Sequence, residues 1–283
     1  MDCISVGRMG QMNDFTKEQK LQNEFHKLSD SNKLEIIAKL PDKKFYEFLY
    51  HSWFNNKLEN VAEHYKTWQP WEEWHYPIDD LIRFKKVILD NESYIKAQNI
   101  FDIGSHLGYI TLFCLNLGCK YITGLEPREN KHELSSFICK TAGYQNFKFV
   151  KGSTHEDNFI KYADNVDTVI LSALIYHVAD HFRLLEKITN SSAKCVIIEN
   201  KEKKNIAFDI RPQVDWEIED TDQGKDTGGW RFDKKEFLVG TPNQPFLNGI
   251  MFELGWKLAK NEYFYVNTHL ENKRLMSTSI YVR

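Results

Sequence analysis

The chain has 283 residues, 42% of them hydrophobic and 27% charged, enough for one large domain with an appendage or for two small ones. Its formal net charge of −3, with acids and bases interleaved, argues against a protein held on nucleic acid by bulk electrostatics. No apolar run approaches the roughly 18 residues that a membrane span needs, so no membrane partner is expected.

The N-terminus lacks the basic-then-apolar order of a secretory signal. The five cysteines (Cys3, Cys114, Cys119, Cys139, Cys195) show no CxxC pairing. A reducing, cytoplasmic setting without disulfides or a structural zinc is the expectation. The first hundred residues read as mainly helical. Asp14 is placed to cap a helix over 15–28, and Asp30 or Ser31 another over 33–40. Pro41 then breaks the pattern, and Phe45, Phe48, Leu49 and Trp53 recur at helical spacing. Trp68, Trp71 and Trp74 lie three apart, but Pro70 and Pro77 argue against one continuous helix through them. A further helix is expected over 78–89. These elements form an N-terminal helical segment or cap over 1–95.

From residue 99 the texture changes to short apolar runs alternating with amphipathic stretches. NIFDIG reads as a strand, YITLFCLNLG as a helix ending at Gly118, and KYITGLEP as a strand. A helix ending at Gly143 follows, then the strand FKFVKG, the strand VDTVILSA, the helix DHFRLLEKITN and the strand AKCVIIEN. Such alternation implies right-handed crossovers and a parallel sheet covered on both faces. The rhythm breaks over 201–232, a polar, glycine-bearing stretch that reads as an insertion or lid. Its densest charge run, 201–204, reads as a solvated loop edge. Thr241 is then placed to cap a helix with Pro242 at its first position, and Gly255 fits the end of that helix. KLAKNEYFYV and STSIYVR close the chain as two strands, expected to form a hairpin.

The chemistry centres on FDIGSHLGYI at 101–110. Asp102, Gly104 and Gly108 form D-x-G-x-x-x-G at a strand-to-helix junction, where glycine lets main-chain N–H groups approach a ligand. Two glycines alone are weak evidence, because many such turns carry them for steric reasons. Glu126 strengthens it: this acid ends the next strand, 24 residues after Asp102, where a carboxylate can accept both hydroxyls of a ribose.

The stretch FDIGSHLGYITLFCLNLGCKYITGLEP resembles the cofactor-binding half of a class I S-adenosylmethionine-dependent methyltransferase. The resemblance implies a Rossmann-like α/β fold: a doubly wound, mostly parallel seven-stranded sheet with a C-terminal antiparallel hairpin, here over 96–283. It implies S-adenosyl-L-methionine as cofactor, with Asp102, Gly104, Ser105, His106 and Gly108 under its methionine end and Glu126 and Pro127 at its ribose. His106 stands where the common pattern has a further glycine, a departure shared with loops similar to those of FkbM-type O-methyltransferases. Ser105, His106 and Leu107 leave no G-x-G-x-x-G register, which disfavours a dinucleotide, whose pyrophosphate needs those glycines.

Gly152 ends the third strand without the acid that the family commonly has near the adenine; Ser153, Thr154, or His155 with Glu156 are the substitutes, and a plain loop is an equal reading. Ser172 falls at the carboxyl end of the fourth strand, where open α/β sheets bind ligands. Tyr176 and His177 follow, in a segment that resembles methyltransferases modifying the wobble uridine of transfer RNA. His177 is the candidate to take a proton from the acceptor, with Tyr176 beside it, although both residues can equally serve to pack a turn. Trp74, His75 and Tyr76, together with Trp230 and Arg231, are candidate acceptor contacts, with Gly228 and Gly229 as a hinge. The dispersed histidines indicate no metal site, and the absence of G-x-S-x-G makes a serine hydrolase improbable. The expected function is methyl transfer to oxygen or nitrogen of a small-molecule acceptor, a metabolite or sugar. The alternatives are an RNA-modifying methyltransferase and a non-catalytic cofactor-binding protein.

Overall fold

The computed structural model describes Arg83 and residues 86–283, less positions 142, 164, 204, 206, 208, 220–228, 232–235 and 268–272. The chain divides into two compact units, Met1–Asp80 and Leu81–Arg283, and the described residues belong to the second. The helices expected over 1–80, and Trp74, His75 and Tyr76, lie outside the described residues.

A 3-10 segment, Leu89–Tyr94, leads into β1 (Asn99–Ile103), α1 (Tyr109–Asn116), β2 (Tyr121–Glu126), α2 (Glu129–Thr141) and β3 (Phe147–Lys151). A second 3-10 segment, Phe159–Ala163, precedes β4 (Thr168–Ser172), and a third, Ile175–His177, precedes α3 (His181–Thr189) and β5 (Cys195–Glu202). Then come β6 (Val214–Glu219), β7 (Trp230–Arg231), β8 (Phe237–Pro242), α4 (Gln244–Glu253), β9 (Lys257–Asn267) and β10 (Lys273–Val282).

Seven strands form one sheet in the order β3-β2-β1-β4-β5-β10-β9. The first five pair in parallel, and β10 runs antiparallel to both β5 and β9. This is the doubly wound sheet with a terminal hairpin that the sequence pattern predicts. The apolar runs of β1, β2, β4 and β5 are buried on both faces, which explains why they lack alternation. Helix α3 buries Leu184, Leu185 and Ile188 on one stripe, and Asp180 caps it by accepting from the Arg183 N–H at 3.0 Å. Phe101, Phe159, Leu247, Met251, Trp256 and Tyr281 join that stripe in one core. Trp256 satisfies its indole N–H by donating to Thr189 Oγ1 at 2.7 Å.

Three features depart from the sequence reading. The cap of α4 is Asn243, two residues beyond Thr241, which lies in β8 with Pro242. Asn243 Oδ1 accepts from the N–H of Phe246 at 3.1 Å and of Gln213 at 3.0 Å, so one side chain starts the helix and pins the preceding loop. Local spacing favoured Thr241, but β8 needs its backbone for pairing with β6. Replacing Asn243 by Ala is expected to cost about 1–2 kcal/mol for the lost cap, read as a lower denaturation midpoint at unchanged slope.

The span read as an insertion or lid contains β6, which pairs with β8 in a second, three-stranded antiparallel sheet ordered β6-β8-β7. Gly240 permits this pairing, since a Cβ there would lie 2.6 Å from Val214 Cγ1 and 3.0 Å from the Trp216 ring. Within the charge run at 201–204, the described residues 201–203 are not a solvated edge. Strand β5 continues through Glu202, whose carboxyl is buried, and Lys201 is half-buried beside β6.

Candidate active site

The carboxyl ends of β1, β2, β4 and β5 meet where strand order reverses between β1 and β4, the position at which open α/β sheets bind ligands. The loop from β1 to α1 makes three left-handed turns of the backbone, at Gly104 (φ 77°), His106 (φ 50°) and Gly108 (φ 77°). His106 therefore adopts the conformation that a middle glycine would take. Gly104 N and Ser105 N donate to Leu125 O at 2.9 and 3.0 Å, which fastens the loop to β2. Asp102 is buried beneath it and accepts from Thr111 Oγ1 of α1 at 2.8 Å. Burial is the main force that pushes the Asp102 carboxyl up to about 7, with the Thr111 hydrogen bond opposing.

Glu126, at the end of β2, is fully buried. Its Oε2 accepts from the His106 N–H at 3.0 Å and from Arg128 Nη2 at 3.1 Å. Its Oε1 accepts from the Arg128 N–H at 3.1 Å and from Arg128 Nε at 2.5 Å. The carboxylate's four acceptor positions are thus divided between two main-chain N–H groups and one guanidinium fork. Burial, followed by the charges of Lys131, Arg128 and Arg83, holds the His106 imidazole well below its ordinary value. It is therefore neutral and accepts from the Lys131 ammonium at its Nε2. Ser105 Oγ is buried with no hydrogen-bond partner among the described residues.

On the other side of the switch point, Ser172 of β4 lies in register with Glu199 of β5. Ser172 Oγ donates to Glu199 Oε2, and Arg83 grips the same carboxylate through Nε (2.6 Å) and Nη2 (2.9 Å). After Ser172 the chain turns sharply through Ala173 at φ 53°, a left-handed conformation that is strained for a residue with a Cβ. Leu174 then packs against the loop between β1 and α1, since a Cβ on Gly104 would lie 3.1 Å from its Cδ1. The turn ends in Tyr176 and His177, whose ring centroids are 4.4 Å apart. His177 Nδ1 is 2.6 Å from Glu219 Oε1 of β6.

Comparison with other proteins matches this architecture. No family model matches the chain. Protein arginine N-methyltransferase 1 of Oryza sativa, in both its indica and japonica forms, is 27% identical over 118 residues, which are 40% of this chain and 28% of the relative. The chain therefore spans less than a third of the length of these curated relatives. An S-adenosylmethionine-dependent methyltransferase of Methanosarcina mazei superposes with a TM-score of 0.52 at 14% identity, over 70% of this chain and 98% of the other. The N-terminal domain of EvdMO1 with S-adenosylhomocysteine bound gives 0.50 at 15% identity, over 72% and 80%. A candidate RNA methyltransferase of Pyrococcus horikoshii gives 0.51 at 13%, over 74% and 86%.

The fold is that of the class I S-adenosylmethionine-dependent methyltransferases.

Within that methyltransferase fold, Asp102, Gly104, Ser105, His106, Gly108 and Glu126 come together at one strand-to-helix junction, with Pro127 next in the chain. Ser153 and Thr154 follow β3. The Ser153 N–H donates to Glu156 Oε1 at 3.1 Å, and Thr154 lines a groove with His155, Val178, Asp180, Arg183 and Lys187. Trp230 and Arg231 pair through their backbones with Leu238 and Phe237 of β8, and their side chains lie outside the described residues. Burial is the main force that raises Tyr176, to about 12, so its phenol stays protonated. Sequence reasoning missed Glu199, Arg83, Arg128 and Glu219. Glu199 had a readable signal, since it follows the apolar run VII as Glu126 follows YITGL. Arg128 stands two residues beyond Glu126, close enough to read as its partner, whereas Arg83 and Glu219 depend on tertiary contacts that no local pattern encodes. Among the described residues no helix is long and apolar enough to cross a membrane.

Proposed function

We propose that this chain is a methyltransferase that uses S-adenosylmethionine to methylate an oxygen or nitrogen of a small-molecule acceptor, a metabolite or sugar. One observation carries the reading: Glu126, buried at the end of β2, is aimed at the cofactor loop by main-chain N–H groups on both of its oxygens. The residues fit the cofactor. A ribose offers two hydroxyl donors, and Glu126 can receive them when the Arg128 fork swings toward solvent, where its side chain is already 21% exposed. The unpartnered Ser105 hydroxyl and the left-handed main chain at Gly104 and His106 suit the methionine end. Asp102, Gly108 and Pro127 are the further residues proposed to hold the cofactor, with Ser153, Thr154 and Ser172 proposed at the border of the site.

The cofactor supplies a methyl group on a positively charged sulfur, already activated for attack. The protein's part is then to align the acceptor with it and to manage the acceptor's proton. His177 is the group proposed to receive that proton, with Tyr176 donating a hydrogen bond beside it. Trp230 and Arg231 remain proposed acceptor contacts.

Calorimetric titration with S-adenosylmethionine and S-adenosylhomocysteine tests the reading, and the expected result is saturable binding of both by the folded chain. No binding of either would sink it. An RNA acceptor is the second reading, motivated by the Tyr-His segment and weakened by a net charge of −3. A salt titration separates the two: RNA binding that falls steeply with salt supports RNA, and no binding at low salt removes it. A non-catalytic binding protein predicts cofactor binding with no labelled methyl transferred to any metabolite or RNA pool.

A further inference from the structure

The second sheet contributes a residue that the methyltransferase core does not hold itself. Strand β8 donates from Gly240 N to Val178 O at 3.2 Å. His181, at the start of α3, places its Nε2 3.1 Å from Ile175 O and 2.9 Å from Gly240 O. Carbonyl oxygens only accept, so this Nε2 carries the proton and clamps β8 to the turn that bears Tyr176 and His177. That clamp brings β6, paired with β8, over the turn and sets Glu219 against His177. Glu219 Oε2 is buried with no hydrogen-bond partner among the described residues, so the carboxylate's tie to the imidazole is not diluted on that oxygen.

From this geometry we propose that Glu219 is the positioning residue of a His177–Glu219 pair, and that the pair selects a hydroxyl as the methyl acceptor. The inference rests on the methyl-transfer reading above. A carboxylate can only accept, so His177 Nδ1 carries a proton toward Glu219 and Nε2 is the basic nitrogen. Free imidazole favours the opposite tautomer, which would point a donor at the acceptor.

The step balances as follows. The acceptor oxygen forms a bond to the methyl carbon while the carbon–sulfur bond breaks and sulfur keeps the electron pair. The acceptor O–H bond breaks and its proton passes to His177 Nε2, giving an ether, a neutral thioether and an imidazolium that Glu219 offsets. Without a base, the oxygen would become a strongly acidic oxonium, so proton removal must accompany transfer. An amine attacks through its lone pair and keeps its protons in the transfer step, so it does not need the pair. The other carboxylate on this side, Glu199, would be the group to hold a cationic amine or guanidinium, but Arg83 and Ser172 already occupy it.

The test uses the full chain labelled with ¹⁵N-histidine, at about pH 8.5 where ordinary imidazole is neutral. Long-range nitrogen–proton spectra, with the His177 signal assigned by its loss in His177→Gln, are expected to show the Nδ1–H tautomer. In Glu219→Ala the signal is expected to revert to Nε2–H, while Glu219→Asp restores Nδ1–H. In the labelled-methyl screen, alcohols are expected to be methylated in preference to amines. Turnover is expected to fall on the order of a hundredfold in Glu219→Ala, with cofactor affinity unchanged. An Nε2–H tautomer in the parent chain, or one indifferent to Glu219→Ala, overturns the positioning role. Acceptors that are all amines overturn the hydroxyl class. Failure to bind S-adenosylmethionine instead overturns the underlying methyl-transfer reading, whatever the tautomer. If Glu219→Ala does not fold, Glu219→Gln, which keeps an accepting oxygen but no charge, is expected to retain Nδ1–H yet lose turnover.

Discussion

Glu126→Ala is expected to weaken S-adenosylmethionine binding by at least a hundredfold. Each hydrogen bond to a charged group contributes about 1.5–3 kcal/mol, and a factor of ten needs about 1.4 kcal/mol, so two ribose hydroxyls account for that loss. The carboxylate is fully buried, so no water stands ready to replace it. The control is Arg128. Its guanidinium holds Glu126 through Nε and Nη2, and those are the acceptor positions that ribose would need. Removing the competitor with Arg128→Gln is therefore expected to tighten binding a few-fold, opposite in sign to Glu126→Ala. Calorimetry on the two variants and the parent chain checks both. Equal affinity in Glu126→Ala and the parent would mean that the acid holds no ribose.

The effect on stability runs the other way. In Arg128→Gln the buried carboxylate loses its charge partner and keeps only the two main-chain donors. The variant is expected to melt lower without ligand and to recover more on adding it, because ligand that binds only the folded state stabilises by mass action. Arg128 would thus exchange cofactor affinity for stability of the empty site.

Much of this arrangement was legible from the residues. Strand runs that are apolar without alternation and separated by amphipathic helices leave little choice but a parallel sheet, and glycines in a D-x-G-x-x-x-G turn mark its carboxyl edge. Glu126 was legible because it breaks the apolar run at the strand's carboxyl end, the edge at which open α/β sheets bind ligands. The cap of α4 was misplaced by two residues because Thr241 and Asn243 are both good caps locally, and only the pairing of β8 with β6 decides between them. The second sheet was missed for a related reason. Strand β6, Val-Asp-Trp-Glu-Ile-Glu, alternates as a strand should, but it sits among acids and lysines that read as loop. The charges of β6 pair with lysines at and just beyond the end of β5: Lys203 Nζ lies 2.6 Å from Glu217 Oε2, and Lys201 Nζ lies 3.8 Å from its Oε1. Composition recorded the charges but not their pairing.

Arg83 belongs to the same class of hidden contact, and it carries the second large effect. The Glu199 side chain is 0% exposed and that of Arg83 is 23% exposed, so the pair is asymmetric: the anion is sealed in and the cation reaches the edge. Among the described residues, Arg83→Ala leaves a buried carboxylate with only the Ser172 hydroxyl donating to it, and removing one partner of a buried pair costs about 3–5 kcal/mol. For a unit the size of Leu81–Arg283, that corresponds to a melting temperature lower by on the order of 10 °C. Glu199→Gln is expected to cost less, because the guanidinium left behind can turn toward water. If the penalty arises from the stranded charge and not from lost packing, the double variant Arg83→Ala with Glu199→Gln should be more stable than Arg83→Ala alone, a coupling that a double-mutant cycle reads directly. Additive losses would place the cost in the arginine's aliphatic stem instead, and the buried carboxylate at the end of β5 would then have to be tolerated by the Ser172 hydrogen bond and the surrounding main chain.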